Sequence, residues 1–174
     1  MTRRSVGTMA PDGAPSSVLY DDLTGLANRA LFLERLEHGL ALAARHGWTL
    51  AILLIDIDDF STVNATHGSE VGDRVLRIIG NRLRETARAE DTVSRPGGDE
   101  FMCVLLDVRD HADVAVIAEE LADRVAEPCE VDDLVILVEA SVGTAIYPRD
   151  GETADDLLRR ADESMFEMKK HRES

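Results

Sequence analysis

Apolar residues recur at helical spacing in several stretches of this chain and run unbroken in others. From Asn28, a good N-cap, Phe32, Leu33, Leu36 and Leu40 fall on one helical stripe. Leu50 to Ile55 is an unbroken apolar run ending in Asp56, the mark of a strand buried on both faces. A short helical turn near Phe60 follows. A longer helix starts at about Ser69, with Val71, Val75, Ile78, Ile79 and Leu83 on its buried side. Thr92-Val93-Ser94 predicts a strand that leads into Gly97-Gly98, and the apolar run Phe101 to Leu106 predicts its hairpin partner. Val114, Ile117, Ala118, Leu121 and Val125 form another helical stripe, which Pro128 stops. Asp132-Asp133 predicts a turn between Glu130-Val131 and one long strand from Leu134 to Tyr147. Thr153 with Asp156 resembles a capping box opening a last helix, packed through Leu157, Leu158, Ala161 and Met165.

Helices and strands alternate, but two hairpins exclude an all-parallel sheet. The class is α+β, with helices flanking a central, mostly antiparallel five-stranded sheet. Residues 1–20 hold glycine, proline and serine without periodicity and read as a flexible N-terminal tail or linker. Residues 21–174 form one domain, and a 174-residue chain at 44% hydrophobic content supplies a real core for it.

The formal charge of −15 argues against nucleic acid or an anionic membrane as partner. Cys103 and Cys129 show no zinc spacing and no disulfide framework, so a reducing, cytoplasmic setting is expected. No apolar run reaches the length of a membrane span. Arg3 and Arg4 are followed by no apolar stretch, so no signal peptide is expected. The five histidines are scattered and receive no role.

The densest chemistry lies in Arg95-Pro96-Gly97-Gly98-Asp99-Glu100-Phe101. Two glycines let backbone approach a ligand, and adjacent carboxylates on a hairpin tip suit a divalent cation. A second acidic strand end, Asp56-Ile57-Asp58, precedes it. Alternation along a strand puts Asp56 and Asp58 on the same side. Carboxylates ending a buried strand are costly unless paired or metal-bound, which favours a metal role for Asp56. For Asp58 and Asp59, capping of the following helix is an equal alternative.

Six motifs in order carry a family resemblance. They are Asp22-Leu23-Thr24-Gly25-Leu26-Ala27-Asn28-Arg29, Asp56 to Phe60, Asn64 with Gly72-Asp73, Gly97 to Phe101, Ser141-Val142-Gly143, and Ala161-Asp162 with Lys169. From about Asp21 to Lys170 the chain resembles the GGDEF domain of diguanylate cyclases. The resemblance implies a ferredoxin-like palm, as in nucleotidyl cyclases. It implies condensation of two GTP into cyclic di-GMP with release of pyrophosphate, by a homodimer of domains that each hold one GTP. Mg²⁺ or Mn²⁺ is the implied cofactor, and the acidic chain needs such an ion to accept a triphosphate. Asp56, the Ile57 carbonyl, Asp99 and Glu100 are the implied metal ligands, with Asp99 and Glu100 catalytic and Glu100 a ligand or the base for the attacking 3′-hydroxyl. Asn64 and Asp73 are implied guanine readers. Phe60, Gly97, Gly98 and Lys169 are implied to meet the nucleotide backbone and phosphates. Arg88 and Asp91 match the product-inhibition site that binds cyclic di-GMP.

Departures cluster at the phosphates. Ser61 stands where the family usually has lysine, and Glu173 where it has arginine. Ala65, Ser69 and Pro96 replace aspartate, histidine and an aromatic residue. Lys170 or Arg172 is the candidate replacement cation. The second arginine of the product site falls near Glu119 or Glu120, which predicts weak product inhibition. Two alternatives remain: a catalytically weak domain that binds GTP or cyclic di-GMP as a sensor, and an acidic scaffold that docks a basic protein.

Overall fold

The computed structural model describes residues 18–174. The chain begins with α1 (Arg29–His46), β1 (Leu50–Ile57), α2 (Phe60–His67) and α3 (Ser69–Thr86). The hairpin β2 (Thr92–Gly97) and β3 (Glu100–Leu105) follows, then α4 (His111–Ala126). A small hairpin of β4 (Cys129–Val131) and β5 (Leu134–Ile136) precedes β6 (Ala140–Tyr147) and α5 (Ala154–Arg172).

The principal sheet runs β2-β3-β1-β6, with every neighbouring pair antiparallel. This corrects the expected five-stranded sheet: β4 and β5 form a separate two-stranded unit. The long strand expected from Leu134 to Tyr147 is likewise two strands, interrupted at Leu137–Glu139. The Glu139 carbonyl accepts from the Asp58 amide at 2.8 Å, which carries the β1–β6 register one residue beyond Ile57–Ala140, so the chain after β5 has already changed partner to β1.

Two layers of core cover the sheet. On one side α1 and α5 pack Phe32, Leu36 and Leu157 on Leu50 and Ile52. On the other, Val75, Ile79 and Leu121 pack on Leu53 and Ile55. This alternation follows from the period of two along β1, which is why it reads as continuously apolar. Asn28 caps α1, its side chain accepting from the Leu31 amide, and Thr153 caps α5, accepting from the Asp156 amide.

Close approach of α5 to β6 depends on Gly143. A Cβ there would stand 2.0 Å from the Ala161 carbonyl oxygen and 2.6 Å from Met165 Cβ. Outward-pointing amides of β6 are met by side chains. Val142 donates to Met168 Sδ at 3.4 Å, Thr144 to Ser164 Oγ at 3.2 Å and Ile146 to Asp150 at 2.8 Å. On the opposite edge, Ala27 bridges to Ser94 of β2.

Residues 1–17 of the expected tail lie outside the described residues. Leu19 and Tyr20 are tied to the domain: Asn28 N–H donates to the Leu19 carbonyl at 2.9 Å, and Tyr20 bridges to Ala27. Among the described residues no helix is long and apolar enough to cross a membrane.

Candidate active site

Three strands end together at Asp56, whose register partners are Glu100 on β3 and Ser141 on β6. The Ile57 amide donates to the Asp99 carbonyl at 3.1 Å, so the hairpin tip clasps the end of β1. The result is a cleft of about 430 Å³ whose lining includes Asp56, Ile57, Phe60, Asp99, Lys169 and Arg172.

Carboxylates crowd this cleft. Burial pushes the Asp99 carboxyl above its ordinary pKa, and the neighbouring Asp56 charge adds to the shift. Lys169 supplies the compensating charge through an ion pair with Asp56, and that bond raises the lysine's own pKa. Asp58 accepts from Ser141 Oγ at 2.8 Å and from Arg172 Nη1 at 2.8 Å. Arg172 also donates to the Ala140 carbonyl at 3.0 Å. The capping alternative for Asp58 and Asp59 finds no support: Asp59 holds the cap position of α2 at φ 51° without a side-chain cap bond. Of the two candidate replacement cations, Arg172 faces the cleft. Lys170 instead sits 4.5 Å from the centre of the Phe166 ring. Ser61 and Glu173 line the cleft too, so the two departures are local to it.

Glu100 does not line the same cleft. It faces an adjoining groove of about 330 Å³ with Arg29, Leu54, Met102, Arg159 and Asp162. Asp56 borders both spaces. Strand alternation explains the split: Glu100 lies on β3 opposite Asp56, whereas Asp99 belongs to the turn.

Asn64 on α2 lies against Gly72 of α3. A Cβ at Gly72 would fall 1.8 Å from Asn64 Oδ1, so glycine there makes the amide's position available. Asn64 Oδ1 is buried and has no hydrogen-bond partner. A buried acceptor left unmatched is costly. Asp73 follows Gly72 and is exposed.

Beside Gly97 and Gly98 the space is open: a Cβ at either would meet nothing within 4 Å. Gly98 adopts φ 55°, the left-handed region that favours glycine. The turn is held by Arg95, which donates through Nε and Nη2 to the Gly98 carbonyl at 3.0 and 2.8 Å, and through Nη1 to Asp21 at 2.8 Å. Sequence reasoning assigned no role to this tie. Asp21 is further held by the Thr24 amide and hydroxyl, which donate to its carboxylate at 2.9 and 2.7 Å.

Arg88 and Asp91 lie apart from the cleft, in a pocket of about 430 Å³ with Arg35 and Arg84. They are bonded to each other: the Arg88 amide and Nε donate to Asp91 at 3.1 and 3.3 Å. Arg88 Nη2 also donates to the Leu106 carbonyl at 2.8 Å. Among the described residues, no three His, Cys, Asp or Glu side chains group closely enough to hold a metal ion on their own.

The sequence profile described as "Diguanylate cyclase, GGDEF domain" matches residues 18–174. The chain belongs to the GGDEF family. The chain is 40% identical over 151 residues to the bifunctional diguanylate cyclase/cyclic di-GMP phosphodiesterase MucR of Pseudomonas aeruginosa, covering 87% of this chain and 22% of that protein. It is 36% identical over 150 residues to the cyclic di-GMP phosphodiesterase NbdA of the same organism, covering 86% and 19%. The solved GGDEF domain of P. aeruginosa TpbB superposes with a TM-score of 0.84 at 37% identity, over 87% of this chain and 89% of that one. This GGDEF chain thus spans about a fifth of the length of those two curated relatives.

Proposed function

We propose that this domain is a diguanylate cyclase, condensing two GTP into cyclic di-GMP and two pyrophosphates as a dimer of domains. The observation that carries this reading is the meeting of Asp56 and Asp99 at one strand end, with Lys169 and Arg172 beside them and an unpartnered amide at Asn64. Asn64 and Asp73 take the guanine edge, an amide and a carboxylate matching its donors and acceptors. Phe60 and the open backbone at Gly97 and Gly98 border the nucleotide. Lys169 and Arg172 receive phosphate oxygens, Arg172 standing in for the arginine absent at Glu173.

Asp56, the Ile57 carbonyl, Asp99 and Glu100 would hold Mg²⁺ or Mn²⁺. The residues fit such an ion: burial and then the neighbouring Asp56 charge raise the Asp99 pKa, and Mg²⁺ is commonly held by one or two carboxylates completed by substrate phosphates. When bound, such an ion would supply charge neutralisation at the α-phosphate and would acidify the attacking 3′-hydroxyl. Where it does not hold the ion, Glu100, which faces the adjoining groove, would be the base that takes the O3′ proton. Each domain binds one GTP, and the two-fold symmetry of the product requires a second domain to present the other. The fold is read as the palm of nucleotidyl cyclases, residues 21–174 as the catalytic unit, and the cytoplasm, where GTP is available, as its location.

A second reading, a sensor that binds nucleotide without turnover, draws support from Glu173 and Ser61 at the phosphate end of the cleft. Arg88 and Asp91 would bind cyclic di-GMP in either case, weakly, because they already bond each other.

The test is turnover. Domain freed of nucleotide is incubated with GTP and Mg²⁺ over a range of protein concentrations, and cyclic di-GMP is measured by mass spectrometry. Product rising faster than linearly with protein, and absent from Asp99→Ala/Glu100→Ala, is expected of a cyclase. Bound nucleotide with no product at any concentration overturns it in favour of the sensor.

A further inference from the structure

Asp58 commits both carboxylate oxygens to protein donors. Oδ1 accepts from Ser141 Oγ and Oδ2 from Arg172 Nη1, each at 2.8 Å. Its backbone is fixed as well, by the bond from its amide to the Glu139 carbonyl. Ser141 is buried, so the anchor beneath Asp58 is rigid. Arg172, by contrast, lies in the last turn of α5 with 46% of its side chain exposed. Its contacts gather at one corner of the guanidinium. Nη1 donates to Asp58 and to the Ala140 carbonyl, and Glu139 Oε2 lies 3.9 Å from the same nitrogen. Two hydrogens on Nη1 meet two acceptors, so that corner is filled. Nε and Nη2 find no partner among the described residues. Together they form an edge of the planar fork that can take an oxyanion through two parallel bonds.

We propose that Asp58 is a positioning residue: anchored by Ser141, it holds Arg172 by the Nη1 corner and so presents the Nε–Nη2 edge to a phosphate of the bound nucleotide. The inference rests on the reading of this cleft as a nucleotide site with Arg172 at its phosphate end. Lys169 and Arg172, three residues apart on α5, meet Asp56 and Asp58, two residues apart at the end of β1. Helix and strand periods put each pair on one face, so the two contacts form together. The tether matters in this chain because Ser61 and Glu173, which line the same cleft, supply no cation. A carboxylate near a phosphate also repels it, and this effect opposes the first. The Asp58 charge is offset by its own arginine, whereas an untethered, half-exposed Arg172 would spread over many rotamers in solvent. Positioning therefore outweighs repulsion.

Steady-state kinetics and a double-mutant cycle test this. Asp58→Asn keeps the size of the side chain and removes its charge. The KM for GTP should rise by roughly fivefold with kcat near the wild-type value, the signature of lost binding rather than lost chemistry. Ser141→Ala should raise KM by a smaller factor, roughly twofold, because the carboxylate keeps its arginine but loses its anchor. In an Arg172→Ala background both changes should leave KM within about twofold of Arg172→Ala alone, since nothing remains to be positioned. Thermal melting of each variant verifies the fold.

Effects of Asp58→Asn and Arg172→Ala that multiply, or a fall in kcat with Asp58→Asn, would give Asp58 a direct role at the reacting atoms and overturn the proposal. A KM that falls with Asp58→Asn would show that the carboxylate withholds Arg172 from the phosphate, and overturns it too. So does an Arg172→Ala chain with the KM of wild type. The same pattern in GTP dissociation constants, from a wild-type chain that makes no cyclic di-GMP, would sink the cyclase reading and leave the positioning role standing.

Discussion

Arg95 joins Asp21, at 2.8 Å, to the carbonyl of Gly98, so the turn that opens the domain and the glycine hairpin are one bonded unit. Both side chains are mostly sheltered, at 11% and 16% exposure, where an ion pair escapes most solvent screening. Arg95→Lys keeps the charge but not the planar fork that reaches both partners. It should cost about 1–3 kcal/mol in urea unfolding and lower turnover by loosening the hairpin.

Asp21 also sets a pH dependence. Burial raises its pKa, but bonds from the Thr24 hydroxyl and amide and from Arg95 outweigh that, leaving it below the ordinary value. A depressed folded pKa contributes stability that is present above the unfolded value, about 3.9, and lost as pH falls through the folded one. Asp21→Asn should therefore be less stable than wild type near pH 7, with a narrower gap at a pH below the unfolded value. Unfolding free energies at the two pH values check this; an equal gap at both would contradict it.

Gly72→Ala should separate binding from folding. Alanine's helix preference over glycine, about 1 kcal/mol, offsets part of the crowding of Asn64 and Phe60, so the melting temperature should fall only a few degrees. Its Cβ would displace Asn64, whose Oδ1 lies 1.8 Å from that position. GTP affinity should drop by ~tenfold or more, with selectivity over ATP falling in parallel, as titration of both nucleotides would reveal.

At Asp99 stability and chemistry oppose each other. Its raised pKa means that holding it ionised in the fold is unfavourable, so stability of the metal-free domain is lost as pH rises above the ordinary carboxylate value. Asp99→Asn should equal or exceed wild type in stability near pH 7 with a chelator present. Mg²⁺ should raise the melting temperature of wild type but not of the variant, and the variant should make no cyclic di-GMP.

Arg172→Ala should raise the KM for GTP by about tenfold, within the range for a lost charged hydrogen bond. Lys170→Ala should leave it unchanged, because that ammonium rests on Phe166. Equal effects from the two, in steady-state kinetics, would remove the distinction drawn between them.

Local signals in the sequence identified the caps at Asn28 and Thr153, the glycine hairpin and the buried β1, because each depends on neighbours in the chain. The interruption before β6 was not legible. Leu134 to Ala140 holds no glycine or proline, and the break marks a change of partner, from β4 to the distant β1. Nor could spacing tell that Asp99 and Glu100, adjacent residues, face different spaces; that needs the register of β3 on β1. The Arg95–Asp21 bond spans 74 positions, which no local pattern encodes.

The amides of β6 that point away from the sheet already have partners in Met168, Ser164 and Asp150. That edge offers an incoming strand no donors with which to start a ladder. A copy that approaches along β6 must therefore meet it through side chains, in contacts that charge and ligand can tune. The sheet is guarded against the backbone zippering that would make such a meeting permanent.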